Sequence, residues 1–223
     1  MTNPIKLSLK SEIFPILLIL LSILASFWFY QNMPEQVPIH WNAAGEVDNY
    51  GSRAFGAFFF PVLILGIYLM MIFLPYLDPK KDRYAQFVKA YWAIRFILLI
   101  YLILIYFTAS LAGVGYNVPV GKIIPIAVGI LFLIIGNYLG KIKPNWFVGI
   151  CTPWTLSNEE VWNRTHRLGG KLFSLAGCLF VFNAFMPFTW FFPLIIGTLV
   201  IVVGGTIGYS YFLFRKLEER QPF

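Results

Sequence analysis

The chain has 223 residues, 59% hydrophobic and 12% charged, and its 17 Lys and Arg against 10 Asp and Glu give a formal net charge of +7. Soluble domains run near ~25% charged, so this composition excludes an ordinary water-soluble protein. The positive balance reads as membrane orientation and attraction to anionic headgroups, with no direct nucleic-acid partner, because no soluble module carries a basic face.

Apolar runs close to the ~20 residues that cross a bilayer fall at Ile13–Tyr30, Ala54–Leu77, Trp92–Leu111, Ile123–Leu139, Leu168–Met186 and Trp190–Phe214. They predict an all-α polytopic integral membrane protein. The expected form is a six-transmembrane-helix bundle, one membrane domain over 1–223. Lys6 and Lys10 precede the first run as in a signal peptide, yet no A-x-A-like site follows and Phe27-Trp28-Phe29-Tyr30 is too bulky for one. The first run is therefore expected to stay as a signal anchor. Of the 17 basic residues, only Arg53 and Lys122 fall on one side of the bilayer in this arrangement. The positive-inside rule then places both termini in the cytoplasm of a multi-pass plasma-membrane protein.

Three connections follow in chain order. Residues 31–53, QNMPEQVPIHWNAAGEVDNYGSR, are extracytoplasmic; Pro34, Pro38, Gly45 and Gly51 predict a compact, turn-rich loop with acidic Glu35, Glu46 and Asp48 against Arg53. Residues 78–91 are cytoplasmic. There Tyr84, Phe87, Val88 and Tyr91 recur at helical spacing opposite Lys80, Lys81, Arg83 and Lys89, predicting a basic amphipathic helix in the headgroup layer. Residues 141–171, also cytoplasmic, pack Trp146, Trp154, Trp162 and His166 among charges of both signs. Ser157 and Glu160 have capping-box spacing, so a helix is expected from Asn158. On it Glu160 and Arg164 stand four apart for an ion pair, and Trp162 and His166 are placed for a structural contact.

Chemistry-bearing groups are few. His40 and His166 fall on opposite sides of the membrane and lack zinc-motif spacing, so no metal is expected. Glu159 and His166 stand about 10 Å apart along a helix, too far for an acid–base pair. No nucleophile triad, P-loop or dinucleotide fingerprint occurs, and neither a cofactor nor enzymatic activity is expected. Gly169-Gly170 reads as a helix terminus or close-packing hinge. Apart from Arg95 and Lys171 near cytoplasmic ends, no assigned span contains Asp, Glu, Lys, Arg or His, which weakens an ion-coupled transporter. Arg95 is expected to snorkel toward the headgroups. Gly136-x-x-x-Gly140 and Gly204-x-x-x-Gly208 allow close helix packing, while the oligomeric state stays open. Cys151 and Cys178 are not expected to form a disulfide.

Two segments together resemble a known family. The outer MPEQVPIHWNAAGEVDNYGSR is similar to the DUF1648 motif, with its P-x-H-W-N-x-x-G-x-x-D core. The inner GICTPWTLSNEEVWNRTHRLGGKLF resembles the signature of the SdpI family, immunity proteins against the sporulation-delaying toxin peptide. The resemblance implies a bacterial membrane protein that protects its host from an extracellular toxin peptide. It also implies signal transduction, in which a cytoplasmic transcriptional repressor is held at the membrane. It assigns His40, Trp41, Asn42, Gly45 and Asp48 to a toxin-facing outer loop. It assigns Thr152, Pro153, Trp154, Thr155, Leu156, Ser157, Glu160, Trp162, Thr165, His166 and Gly170 to the cytoplasmic signature. The family usually has a basic residue where this chain has Cys151. Against immunity stand a membrane enzyme or small transporter using residues 145–171, and a membrane interaction scaffold.

Overall fold

The computed structural model describes residues 5, 7–42 and 44–219. Lys6 and Arg220, both used in the charge count, lie outside the described residues. In chain order the elements are helix α1 (Leu9–Asn32), strands β1 (Gln36–Trp41) and β2 (Val47–Ser52), and helices α2 (Arg53–Leu77), α3 (Val88–Gly113), α4 (Val120–Leu139), α5 (Pro153–Ser157), α6 (Glu159–Asn183) and α7 (Phe188–Glu218). A 3-10 turn, Lys81–Gln86, joins α2 to α3. The protein is mostly helical and multi-pass: α1, α2, α3, α4 and the 192–218 part of α7 are long and apolar enough to cross a membrane. The run expected as the fifth span begins within α6 and ends three residues beyond it, and the first turns of α6 also carry Glu159, Glu160, Arg164 and Arg167.

Two groups of helices make the bundle. Helices α1, α2 and α3 pack on one another, α6 packs on α4 and α7, and the groups meet along α3 and α4. The α4–α6 crossing is the closest, and glycine explains it. A Cβ on Gly136 would lie 2.7 Å from the Gly170 carbonyl oxygen, and one on Gly129 equally close to that of Gly177. Small residues seven apart on both helices thus let the backbones touch. Gly170 is a close-packing residue inside a continuous helix rather than a terminus. Gly204 and Gly208 face open space, with nothing among the described residues packed against them.

Two expectations are corrected, and a third, the turn-rich loop, takes a definite form. Within the mostly helical architecture it is an antiparallel hairpin, in which β1 pairs with β2 from Gln36 opposite Ser52 to Trp41 opposite Val47. A lone two-stranded hairpin is marginal in water. Here Val37, buried, reaches the place where a Cβ on Gly56 would clash at 2.5 Å, rooting the hairpin in α2.

The basic amphipathic helix over 78–91 is replaced by the 3-10 turn and the start of α3. Tyr84, Phe87 and Tyr91 bury against Ile142 and Trp162 rather than against lipid. The apolar stripe has protein as its partner. Arg95, finally, does not snorkel. It is 5% exposed, and its guanidinium donates to Glu12 of α1 at 2.6 Å. A first span begun at Ile13 leaves out Glu12, which makes the Arg95 charge look unpartnered when its carboxylate sits one residue upstream.

Candidate functional site

The hairpin and the Trp-rich segment occupy opposite ends of the bundle, because α1 ends at Asn32 beside the hairpin and begins at Leu9 at the other end. At the hairpin end, Asn42 organises the tip. Its carboxamide oxygen accepts from the N–H groups of Ala44 at 2.8 Å and Glu46 at 3.1 Å, and its amide donates to the Glu46 carboxylate. Gly45 follows with φ +79°, a left-handed conformation that favours glycine. A Cβ there would also meet the backbone of Gly121 at 3.1 Å, so the tip seats directly on the start of α4. His40 and Asp48 join the two strands through an exposed 2.5 Å hydrogen bond at Nδ1.

Beneath this hairpin lies a cavity of about 580 Å³, within the ~300–1,000 Å³ usual for small-ligand pockets. His40, Trp41, Asn42, Gly45 and Asp48 all line it. Its deeper walls are Phe55 and Phe60 of α2, Thr108 and Ala109 of α3, Ile124 of α4 and Phe192 of α7. It therefore opens where the two helix groups meet, and it is apolar with its polar groups at the hairpin. The structure brings these five hairpin residues together around one space.

The opposite end is filled. Trp162 is fully buried; its indole N–H donates to the Ile142 carbonyl at 2.9 Å and its ring stacks on His166 at 4.0 Å between centroids. His166, also fully buried, sits between two backbone groups: Nδ1 donates to the Trp162 carbonyl and Nε2 accepts from the Ile150 N–H, both at 2.9 Å. That arrangement fixes the neutral tautomer with its proton on Nδ1. Burial pushes the imidazole down to about 4, outweighing the opposing effect of the Trp162 carbonyl. Gly149 passes over this ring with φ +126°, where a Cβ would lie 2.3 Å from Nε2.

Thr152 and Thr155 cap α5 reciprocally, and Pro153 takes the first helical position, where its missing N–H costs nothing. The capping box is thus Thr152–Thr155 rather than Ser157–Glu160, and Asn158 caps α6 through its own side chain. Thr155 also donates to the Ile150 carbonyl at 2.7 Å, and the Thr152 hydroxyl meets that of Ser210 in α7 at 3.1 Å. Trp154 packs edge-on against Tyr211, 5.2 Å between centroids. Leu156 is half-buried and Thr165 fully buried, whereas Ser157 and Glu160 are exposed. Glu160 pairs with Arg164 at 2.6 Å, as the spacing predicts.

Sequence reasoning missed the residues that tie this segment to the α2–α3 connection. Asp78 is 2% exposed and accepts from the Lys80 N–H, the Tyr84 hydroxyl and the Trp146 N–H at 2.7, 3.0 and 2.9 Å. Burial, with the Asp78 charge second, pushes the Tyr84 phenol up. Asn145, fully buried, accepts from the N–H groups of Phe147 and Val148 and donates to the carbonyls of Lys143 and Val148. An Asp directly before Pro79 and an Asn directly after Pro144 were the available turn signals.

Comparison with known proteins follows the same two segments. The DUF1648 model, a domain of unknown function, matches residues 17–65, and the SdpI/YfhL protein family model matches residues 141–210. Immunity protein SdpI of Bacillus subtilis (strain 168) is 29% identical over 212 residues, which cover 94% of this chain and 99% of that protein. No solved structure matches.

Proposed function

We propose that this chain is an SdpI-like immunity protein of the bacterial plasma membrane, which recognises an extracellular toxin peptide at the hairpin. In this reading six helices cross the bilayer, α6 included, with both termini and residues 141–171 in the cytoplasm. The observation that carries the reading is the convergence of His40, Trp41, Asn42, Gly45 and Asp48 on one largely apolar cavity. A peptide arriving at the outer leaflet would bury apolar side chains there, with the His40–Asp48 pair and Glu46 at the rim.

The cytoplasmic signature divides by exposure. Trp162, Thr165, His166 and Gly170 hold the fold, whereas the charged stripe Glu160, Arg164, Arg167 and Lys171 is exposed and Trp146 is 53% exposed. That outer layer is the surface on which a cytoplasmic repressor would dock. An enzyme working through His166 is disfavoured, since both ring nitrogens already serve backbone groups.

Survival of a toxin-sensitive bacterium expressing this chain tests the proposal, with purified sporulation-delaying peptide as the challenge. Wild type is expected to protect, and His40→Ala/Trp41→Ala at matched membrane levels is not. Protection by both would move recognition away from the hairpin. A well-expressed wild type that fails to protect would sink the toxin assignment.

A further inference from the structure

Below the hairpin the cavity walls are apolar with one exception, Thr108 of α3, which is 5% exposed. A helical threonine can place its hydroxyl on the carbonyl one turn back, as Thr206 does on Val202 at 2.7 Å. The Thr108 hydroxyl makes no hydrogen bond among the described residues. Nor is it sealed off. The Tyr106 and Ser110 hydroxyls, on the neighbouring face of α3, are shut away from water, whereas that of Thr108 is not and opens on the cavity. A ligand that covers this hydroxyl without bonding to it strands a buried polar group, and one that bonds to it is favoured by that difference.

Its position narrows the ligand. Gly113, at the end of the same helix, meets the root of the hairpin: a Cβ there would lie 3.7 Å from that of Val37. Thr108 stands five residues earlier, about 7–8 Å further in along the axis. A ligand held at the hairpin must cross an apolar stretch of that length, past Phe60, Ile105 and Ile124, before it meets the hydroxyl. An aliphatic or phenylalanine side chain fills the walls and leaves the hydroxyl bare. Serine and threonine are too short. Lysine would strand a charge, because the only carboxylate lining the cavity is Asp48 up on the hairpin. Tyrosine and tryptophan carry a rigid apolar ring of about the right length that ends in an O–H or N–H.

Resting on the reading of the hairpin as a peptide-binding site, we propose that the cavity selects its peptide by a tyrosine or tryptophan side chain, whose O–H or N–H donates to the Thr108 hydroxyl oxygen. The hairpin holds the flanking peptide backbone at the rim. Thr108 is then a specificity-determining residue, and the remaining volume admits a neighbouring apolar side chain.

Thermal unfolding of the full chain in detergent tests this, titrated separately with N-acetyl-tyrosinamide, N-acetyl-tryptophanamide and N-acetyl-phenylalaninamide. The tyrosine and tryptophan amides are expected to give the same rise in midpoint at about fivefold lower concentration than the phenylalanine amide, the worth of one neutral hydrogen bond. Thr108→Val removes the hydroxyl without breaking any bond within the chain, so it is expected to fold and to lose this preference. Thr108→Ser, which keeps the hydroxyl, is expected to retain it. A phenylalanine amide equal to the other two, no response to any of the three, or a preference that survives in Thr108→Val would overturn the assignment. The survival assay separates it from the reading on which it rests. Thr108→Val protecting as well as a protective wild type would sink the role of Thr108 and leave recognition at the hairpin, whereas a wild type that fails to protect sinks the toxin assignment and leaves the amide titration to decide on Thr108.

Discussion

The two ends of the molecule carry signature residues of similar chemistry and use them in opposite ways. At the hairpin end, His40, Trp41 and Asp48 surround empty volume; at the other end, Trp162, His166 and Asn145 occupy it completely. Aromatic and polar residues in a motif therefore do not by themselves mark a binding site. What distinguishes the ends is whether each hydrogen-bonding group is already used by the chain. Both nitrogens of His166 are, whereas His40 keeps Nε2 free of any described hydrogen bond beyond its Nδ1 contact with Asp48.

This contrast breaks most clearly at Trp162. Trp162→Ala removes a fully buried ring together with its bond to Ile142, and a loss of ~3–5 kcal/mol is expected. Reduced membrane abundance and a lower unfolding midpoint in detergent would register it; near-wild-type values would mean that the filled end is not the structural one. Acid gives the next largest effect. The His166 imidazole is held near 4 in the fold against ~6.5 in an unfolded chain, so the unfolded state takes up the proton first as pH falls. Stability is complete above pH 6.5 and declines toward pH 4 by up to about 3 kcal/mol. Unfolding midpoints between pH 7.5 and 4.5 should show this decline. His166→Gln, which can still accept from the Ile150 N–H, should flatten it.

Asp78→Asn keeps one acceptor oxygen but replaces the one serving Tyr84 and Trp146, or the one serving Lys80, with an amide. About 1–3 kcal/mol is expected, read by the same midpoint. Trp41→Ala should change stability by no more than ~0.5 kcal/mol while abolishing protection, which sharpens the division between lining and filling. A small effect, on stability alone, is expected at the exposed Arg83–Glu159 pair, 2.9 Å apart. Arg83→Gln should cost under ~1 kcal/mol, and less in high salt.

Legibility in the sequence followed the range of the interaction concerned. Four runs fall within α1, α2, α3 and α4, and the Glu160–Arg164 and Trp162–His166 contacts were readable because they obey helical spacing. The hairpin was not, since Pro38 and Gly51 outweigh the short alternation around them and its stability comes from Val37 meeting Gly56 in a different element. Asp78 bonding the Trp146 N–H, 68 residues away, and Glu12 meeting Arg95, 83 residues away, leave no local trace. Of the candidate site, the motif residues were visible. The cavity that unites five of them depends on α2, α3, α4 and α7 together.

The division of the bundle into α1–α3 and α4–α7 also fixes an order of assembly during synthesis. The first three helices and the hairpin can pack as soon as they leave the ribosome, with Glu12 and Arg95 already neutralising each other in the membrane. Asp78, by contrast, must wait for Trp146, Arg83 for Glu159 and Tyr84 for Trp162. The seal at the end opposite the hairpin is thus the last part to close, and a chain stalled before α6 would present a nearly finished hairpin above an unfinished floor.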